Sequence, residues 1–340
     1  MKISNEPKLT LLSCKSGQYF TNKISNYLNK KNIGHKIKSV EETRFRNSEY
    51  LTEILDSIRG DKVHIVQCHG NYYSEKSIQD DFWVLCTLIQ ASHYADAEEI
   101  NVIIPYFPYC RQDRKQGREP ISAKLAAQFM EIAGGGDLKR VLTIDLHNER
   151  IEGYFDKTKC DNLHASDTII QYLKKKNHDS LEKLSVVSPD IGGTDRARHY
   201  ARILKANVVI YNKRRGENRK IDFFEKVGDF KDARKVLVVD DMIDSGSSMI
   251  EALEEMEKEK LKKMYVITTF PLFTDKERLS EFSKLYKRST IKKIIGTDAI
   301  YHPREFFEKY PWYQEISVAP IFGEAIKRIY KGGSLTKLLG

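Results

Sequence analysis

Val236-Leu237-Val238-Val239-Asp240-Asp241-Met242-Ile243-Asp244-Ser245-Gly246-Ser247-Ser248-Met249 decides the reading of this 340-residue chain. Four apolar residues run into two acids, a short loop of hydroxyls around one glycine follows, and an amphipathic stretch begins. An apolar run without alternation is what a strand covered on both faces requires. Glycine allows a tight turn and close approach to a ligand. The N–H groups of Ser245 to Ser248 can then converge on an anion at a helix N-terminus. A phosphate held there sets a sugar over the strand end, where Asp240 and Asp241 can accept from its hydroxyls or hold Mg²⁺. The plainer alternative is an α/β loop with two acids and a serine N-cap. No G-x-x-x-x-G-K-[ST] occurs, so nucleotide chemistry of the P-loop kind is excluded.

Outward from this stretch, short β-branched runs alternate with longer amphipathic ones. Strands are expected at 9–13, 63–68, 100–107, 141–145, 184–188, 207–211, 236–240 and 264–269. Helices are expected at 19–28, 79–97, 122–133, 165–176, 195–204, 248–260 and 276–286. Such alternation means mostly parallel sheets with helices on both faces. It runs through the chain twice, with a soft join at 157–164, so two similar α/β domains are the simplest account. Gly134 to Gly136 reads as a helix C-cap and turn, not as a phosphate loop.

Composition sets the outer limits. Hydrophobic residues make up 40% and charged residues 31%, which suits globular domains and excludes a disordered or collagenous chain. No apolar run approaches the ~18 residues of a membrane span, and residues 1–12 have no signal-like apolar core. Five scattered cysteines without a C-x-x-C argue against a disulfide framework or a zinc site and suit a reducing cytoplasm. The net charge of +9 is spread over separate clusters with acids between them, and no basic stretch is interleaved with aromatics. A basic balance raises nucleic acid, an anionic membrane surface and phosphorylated small molecules, and charge alone does not decide among them, though the absence of such a stretch counts against RNA.

The Asp240-to-Ser248 stretch resembles the phosphoribosyl pyrophosphate motif of type I phosphoribosyltransferases, and its Asp-Asp-Met-Ile-Asp form resembles the ribose-phosphate pyrophosphokinases. Other segments are similar to that family in the same order. They are Pro105 to Lys115, Thr143 to His147 with Ile151 to Asp156, Val187 to Gly193 with Arg196 and Arg198, Asn212 to Arg215, Ser317 to Ala319, and Gly323 to Ile329. The resemblance implies an α/β fold of two tandem phosphoribosyltransferase-like domains. The expected boundaries are 1–163 for an ATP-side domain, with 318–340 packing back on it, and 164–317 for a ribose-phosphate-side domain.

It also implies a reaction: transfer of the pyrophosphoryl group of MgATP to the C1 hydroxyl of ribose 5-phosphate, giving phosphoribosyl pyrophosphate and AMP. Such chemistry rests on positioning and charge neutralisation. By resemblance, His147 and Asp190 bind Mg²⁺, and Lys213 and Arg215 carry the catalytic role. Phe45, Asn47, Ser48, Glu49, Arg111 and Gln112 bind ATP. Asp240, Asp241, Asp244, Ser245, Gly246, Ser247 and Ser248 bind the ribose phosphate, with Asp244 shaping the loop. A homo-oligomer, dimer or hexamer, is implied as well.

The chain departs from the family pattern at four places. Asn47-Ser48-Glu49 stands for the usual Asp-Gly-Glu, the loop after Arg111 is short, Ser247 replaces a glycine, and Thr194-Asp195 follows Gly193 in place of two apolar residues. Three readings therefore stand open. The acceptor is ribose 5-phosphate, or it is a 5-substituted ribose such as ADP-ribose, or the chain is a non-catalytic regulatory or RNA-binding relative.

Overall fold

The computed structural model describes residues 8–70, 76–175, 183–215, 221–230, 233, 235–259, 261 and 263–339, without the side chains of 213–215 and 221–224. The chain divides into two compact units. Unit 1 comprises 1–164, 299–301 and 318–340; unit 2 comprises 165–298 and 302–317.

Unit 1 is built from β1 (Leu9–Ser13), β2 (Lys36–Ile37), β3 (Val40–Arg44), β4 (Tyr50–Ile54), β5 (Lys62–Val66), β6 (Glu99–Ile103), β7 (Leu138–Ile144) and β8 (Lys159–Leu163). Six strands form a sheet in the order β2-β1-β5-β6-β7-β8, and its described pairings are all parallel. The inner strands β5 and β6 are buried past their first residue, the polar His64 and Asn101 included, and α1 (Gln18–Lys30), α2 (Ile78–Tyr94) and α3 (Ser122–Ala133) are the helices of this unit's first part. α2 starts where it does because Ser77 and Asp80 close a capping box. β3 and β4 stand apart as an antiparallel hairpin, with Arg44 opposite Tyr50.

Unit 2 contains β9 (Leu184–Ser188), β10 (Asn207–Arg215), β11 (Ile221–Val227), β12 (Lys235–Ile243), β13 (Met264–Pro271), β14 (Ile291–Thr297) and β15 (Tyr313–Ile316). They lie in the order β11-β10-β9-β12-β13-β14-β15, with the β10–β11 edge antiparallel. Its helices are α4 (Ser166–Lys175), α5 (Thr194–Leu204), α6 (Ser247–Lys258), α7 (Lys276–Lys287) and α8 (Arg304–Lys309). The core between β12, β13 and α6–α8 centres on Phe273, Phe282 and Trp312, all fully buried.

The closing helix α9 (Ala319–Tyr330) belongs to unit 1. Phe322 meets Phe20 of α1 edge to face at 5.4 Å, and the Tyr27 hydroxyl donates to Glu324 at 2.8 Å. Residues 299–301 join unit 1 too: Tyr19 donates to the Ala299 carbonyl at 3.3 Å and its ring lies 4.9 Å from that of Tyr301.

Several elements differ from the sequence expectation. The join at 157–164, at whose end the two units divide, contains an unexpected edge strand, β8, paired with β7 from Arg140↔Lys159 to Ile144↔Leu163. Its alternating polar residues, on a strand with one bonded neighbour, hide the apolar signal. The strand expected over 100–107 stops at Ile103, and Ile104 to Phe107 continue buried but irregular around Pro105. The strand expected over 236–240 runs on to Ile243, which leaves a loop of three residues before α6.

Candidate active site

The two units carry topologically matching loops at the carboxyl ends of matching strands, and the loops differ in charge. In unit 2, the loop after β12 is Asp244-Ser245-Gly246. Gly246 takes φ +93° at the position before α6, and a Cβ there would stand 2.7 Å from Phe282 Cε2. No acid occupies the first turn of α6. The positive end of the helix dipole therefore meets no acid within that turn. In unit 1, the helix after β5 begins with Asp80 and Asp81, and its N-terminal N–H is already bonded by Ser77. Of the two helix starts, only that of unit 2 is without acids in its first turn.

Asp244 shapes that loop. Its carboxylate accepts from the Thr274 hydroxyl at 2.8 Å, and its carbonyl accepts from the Thr274 N–H at 3.0 Å. Sequence reading did not pick out Thr274, although its place beside the α7 N-cap Asp275 marks a fixed turn. Ser247 is the first residue of α6, so the positive φ falls on Gly246 and a serine at 247 costs the backbone nothing. The hydroxyls of Ser245 and Ser247 lie 3.3 Å apart.

Behind the loop, Asp240 is half-buried and Asp241 buried. Arg196 of α5 reaches Asp241 at 3.5 Å. Asp190 lies in the turn after β9, where its Oδ1 accepts from the Gly193 N–H at 3.0 Å and its carbonyl accepts from the Ser188 hydroxyl at 2.7 Å. A Cβ on Gly193 would stand 2.7 Å from that hydroxyl, so a larger residue there would have to displace the Ser188 side chain. Burial, then the nearby Asp241 and Asp190, push Asp240 well above the ordinary carboxylate range, against the pull of Arg196. Carboxylate oxygens of this kind are the donors that a hard divalent cation takes. Among the described residues no three His, Cys, Asp or Glu side chains form a complete metal cage. Mg²⁺ needs none, since it commonly takes one or two carboxylates with substrate phosphates and water. Asp195 is a solvated first-turn acid of α5, 3.3 Å from Arg198.

In unit 1, the β3–β4 hairpin tip carries Phe45, Asn47, Ser48 and Glu49. Phe45 is 47% exposed, so it is not a core residue. The tip is closed by the Phe45 N–H to Glu49 carbonyl bond at 2.8 Å, and Asn47 Oδ1 accepts from the Glu49 N–H at 3.2 Å. Ser48 takes φ +73°, a glycine-favoured conformation. Arg111 and Gln112 are exposed beyond β6, where the Gln112 N–H donates to the Tyr109 carbonyl at 2.8 Å and the Gln112 side chain accepts from Ser122 at 2.6 Å. His147 is exposed after β7. The chain before it is fixed by Asp145, at φ +45° and 3.3 Å from His164, and by the Leu146 N–H donating to Asn162 at 3.0 Å. Lys213 and Arg215 end β10, opposite Phe224 and Ile221; their side chains lie outside the described residues.

Comparison with known proteins identifies the family. Residues 9–134 match the model of the N-terminal domain of ribose phosphate pyrophosphokinase, and 160–303 match the phosphoribosyl transferase domain. A ribose-phosphate pyrophosphokinase of Thermotoga maritima is 35% identical over 99% of both chains. The chain belongs to the ribose-phosphate pyrophosphokinase family. Another member, from Porphyromonas gingivalis, is 33% identical over 99% of both chains. The crystal structure of phosphoribosylpyrophosphate synthetase from Mycobacterium smegmatis shares the fold, with a TM-score of 0.82 at 24% identity, over 96% of this chain and all of that one. The family architecture of two tandem phosphoribosyltransferase-type domains is therefore that of this chain. Among the described residues no helix is long and apolar enough to cross a membrane.

Proposed function

We propose that this chain transfers the pyrophosphoryl group of MgATP to the C1 hydroxyl of ribose 5-phosphate, releasing AMP and phosphoribosyl pyrophosphate. The observation that carries the acceptor is the β12–α6 loop: a glycine at φ +93°, an acid-free helix start and carboxylates directly behind it. The 5-phosphate sits on the N–H groups and hydroxyls of Ser245 to Ser248. Asp240 and Asp241 accept from the ribose hydroxyls. Asp244, held by Thr274, keeps the loop in shape and does not face the anion. Ser247 starts α6 and leaves the positive φ on Gly246, and the relatives' name, ribose-phosphate pyrophosphokinase, supports ribose 5-phosphate over a larger ribose.

On the nucleotide side, Phe45 stacks on adenine and Asn47, Ser48 and Glu49 meet its edge, while Arg111 and Gln112 hold the phosphates. Asp190 and His147 would hold Mg²⁺, which when bound neutralises charge on the β- and γ-phosphate oxygens. The C1 hydroxyl attacks the β-phosphorus in line, the bond from that phosphorus to the α-phosphate oxygen breaks, and AMP leaves. The hydroxyl proton passes to solvent. Lys213 and Arg215 stabilise charge on the transferring group, a point charge and a planar fork. A homo-oligomer, at least a dimer, and a cytoplasmic location complete this reading. It is tested by measuring AMP formation against ribose 5-phosphate in wild type and Lys213→Ala; equal rates in the two would refute the assignment of Lys213.

A further inference from the structure

Hairpin β3–β4 points one buried side chain inward from each strand, and neither is apolar: Glu42 from β3 and Thr52 from β4. A two-stranded hairpin is marginal by itself, so its orientation depends on what anchors it. The Glu42 carboxylate, 1% exposed, accepts from the Lys15 backbone N–H at 2.6 Å and pairs with the Lys76 ammonium. Lys15 returns a bond from its own ammonium to the Glu42 carbonyl at 3.3 Å. Lys76 lies 5.1 Å above the Tyr50 ring of β4 and 3.9 Å from Asp81 of α2. Asp81 accepts from Ser16 at 2.6 Å, and Thr52 shares a 2.9 Å bond with Thr87 of α2. Two carboxylates thus share one ammonium away from water.

None of these residues touches a substrate in the reading above, and burying them is costly unless their geometry is used. A greasy anchor tolerates sliding; this one fixes direction, because a backbone N–H, an ammonium and a hydroxyl each meet a set oxygen. We propose that Glu42, Lys76 and Asp81 are positioning residues for the nucleotide: the buried triad fixes the hairpin tip that carries Phe45, Asn47 and Glu49. The inference rests on the reading that this tip meets ATP. Burial pushes Asp81 up to about 6, against the bonds from Ser16 and Gln67 and the nearby Lys76.

The test uses the full-length enzyme. Glu42→Leu/Lys76→Met/Asp81→Asn removes all three charges at similar volume, a replacement that buried ion groups usually survive. Amide exchange across residues 40–54 should quicken about tenfold and KM for ATP rise about tenfold, with kcat and KM for ribose 5-phosphate within about twofold. Lys76→Arg, which keeps the pair, should match wild type. A folded triple variant with unchanged KM for ATP, beside a Phe45→Ala variant whose KM rises, overturns the positioning role and leaves the nucleotide reading standing. Unchanged KM in Phe45→Ala overturns that reading and the inference with it. Should the triple variant not fold, Glu42→Gln is read in its place, and it must raise KM for ATP about threefold or the inference falls.

Discussion

Replacing Gly246 by alanine should separate the acceptor site from the rest of the enzyme. At φ +93° a Cβ is strained in itself, at about 1–3 kcal/mol. It also meets Phe282 at 2.7 and 3.1 Å, and that ring is fully buried against Phe273 and Trp312, with centroids 6.2 and 5.5 Å away. Overpacking of this kind costs about 1–3 kcal/mol more. If the loop stayed in place, the variant would lose about 2–6 kcal/mol of stability. The loop can escape part of that by moving, and then the N–H groups of Ser247 and Ser248 no longer aim together. A charge-assisted bond contributes about 1.5–3 kcal/mol, so losing one lowers affinity for the 5-phosphate about 10- to 150-fold. Urea unfolding and steady-state kinetics read both effects. KM for ribose 5-phosphate should rise by that factor while KM for ATP holds. Adding Phe282→Leu should recover part of the stability, the steric part, and leave the strain. A Gly246→Ala enzyme with a normal urea midpoint and a normal KM for ribose 5-phosphate would refute the reasoning.

Ser48→Gly relieves a left-handed serine at the hairpin tip and should stabilise unit 1 by about 1 kcal/mol in urea unfolding; a lower midpoint would contradict it. Thr274→Val removes the hydroxyl that Asp244 accepts and should raise KM for ribose 5-phosphate about three- to tenfold with KM for ATP unmoved, so equal KM values for wild type and variant would speak against the loop-shaping role. Burial alone would raise Glu324, yet bonds from Lys327, Arg328 and Tyr27 hold it at about 2, down from 4.5. Its folded-state value is depressed, so its contribution is full above about 4.5 and fades as pH falls toward 2. The stability gap between wild type and Glu324→Gln should therefore be wider at pH 6 than at pH 3, and a gap independent of pH would show that this carboxylate is not linked to folding.

The sequence reading reached farthest where burial is two-sided. Val236 to Val239, Leu184 to Ser188 and Leu9 to Ser13 are strands because apolar residues on both faces leave no other use for them. The hairpin was illegible for the opposite reason. β3 buries a glutamate and β4 a threonine, so neither shows apolar alternation. β8 and β15 were missed as half-polar edges. At the acceptor loop the residue types were readable, but their division of labour was not. That Gly246 carries the turn and Ser247 starts the helix depends on Phe282, some thirty-five residues downstream and invisible to a local pattern. Thr274 escaped notice for the same reason: its partner Asp244 is a neighbour in space, across the end of β13.

The central claim is best tested by a mass-resolved product assay. The purified protein is incubated with Mg²⁺ and ATP, once with ribose 5-phosphate and once with ADP-ribose, beside a Lys213→Ala control. AMP and phosphoribosyl pyrophosphate from ribose 5-phosphate alone, lost in the control, is the predicted result. A pyrophosphorylated product from ADP-ribose only, or AMP from neither acceptor, would contradict the account.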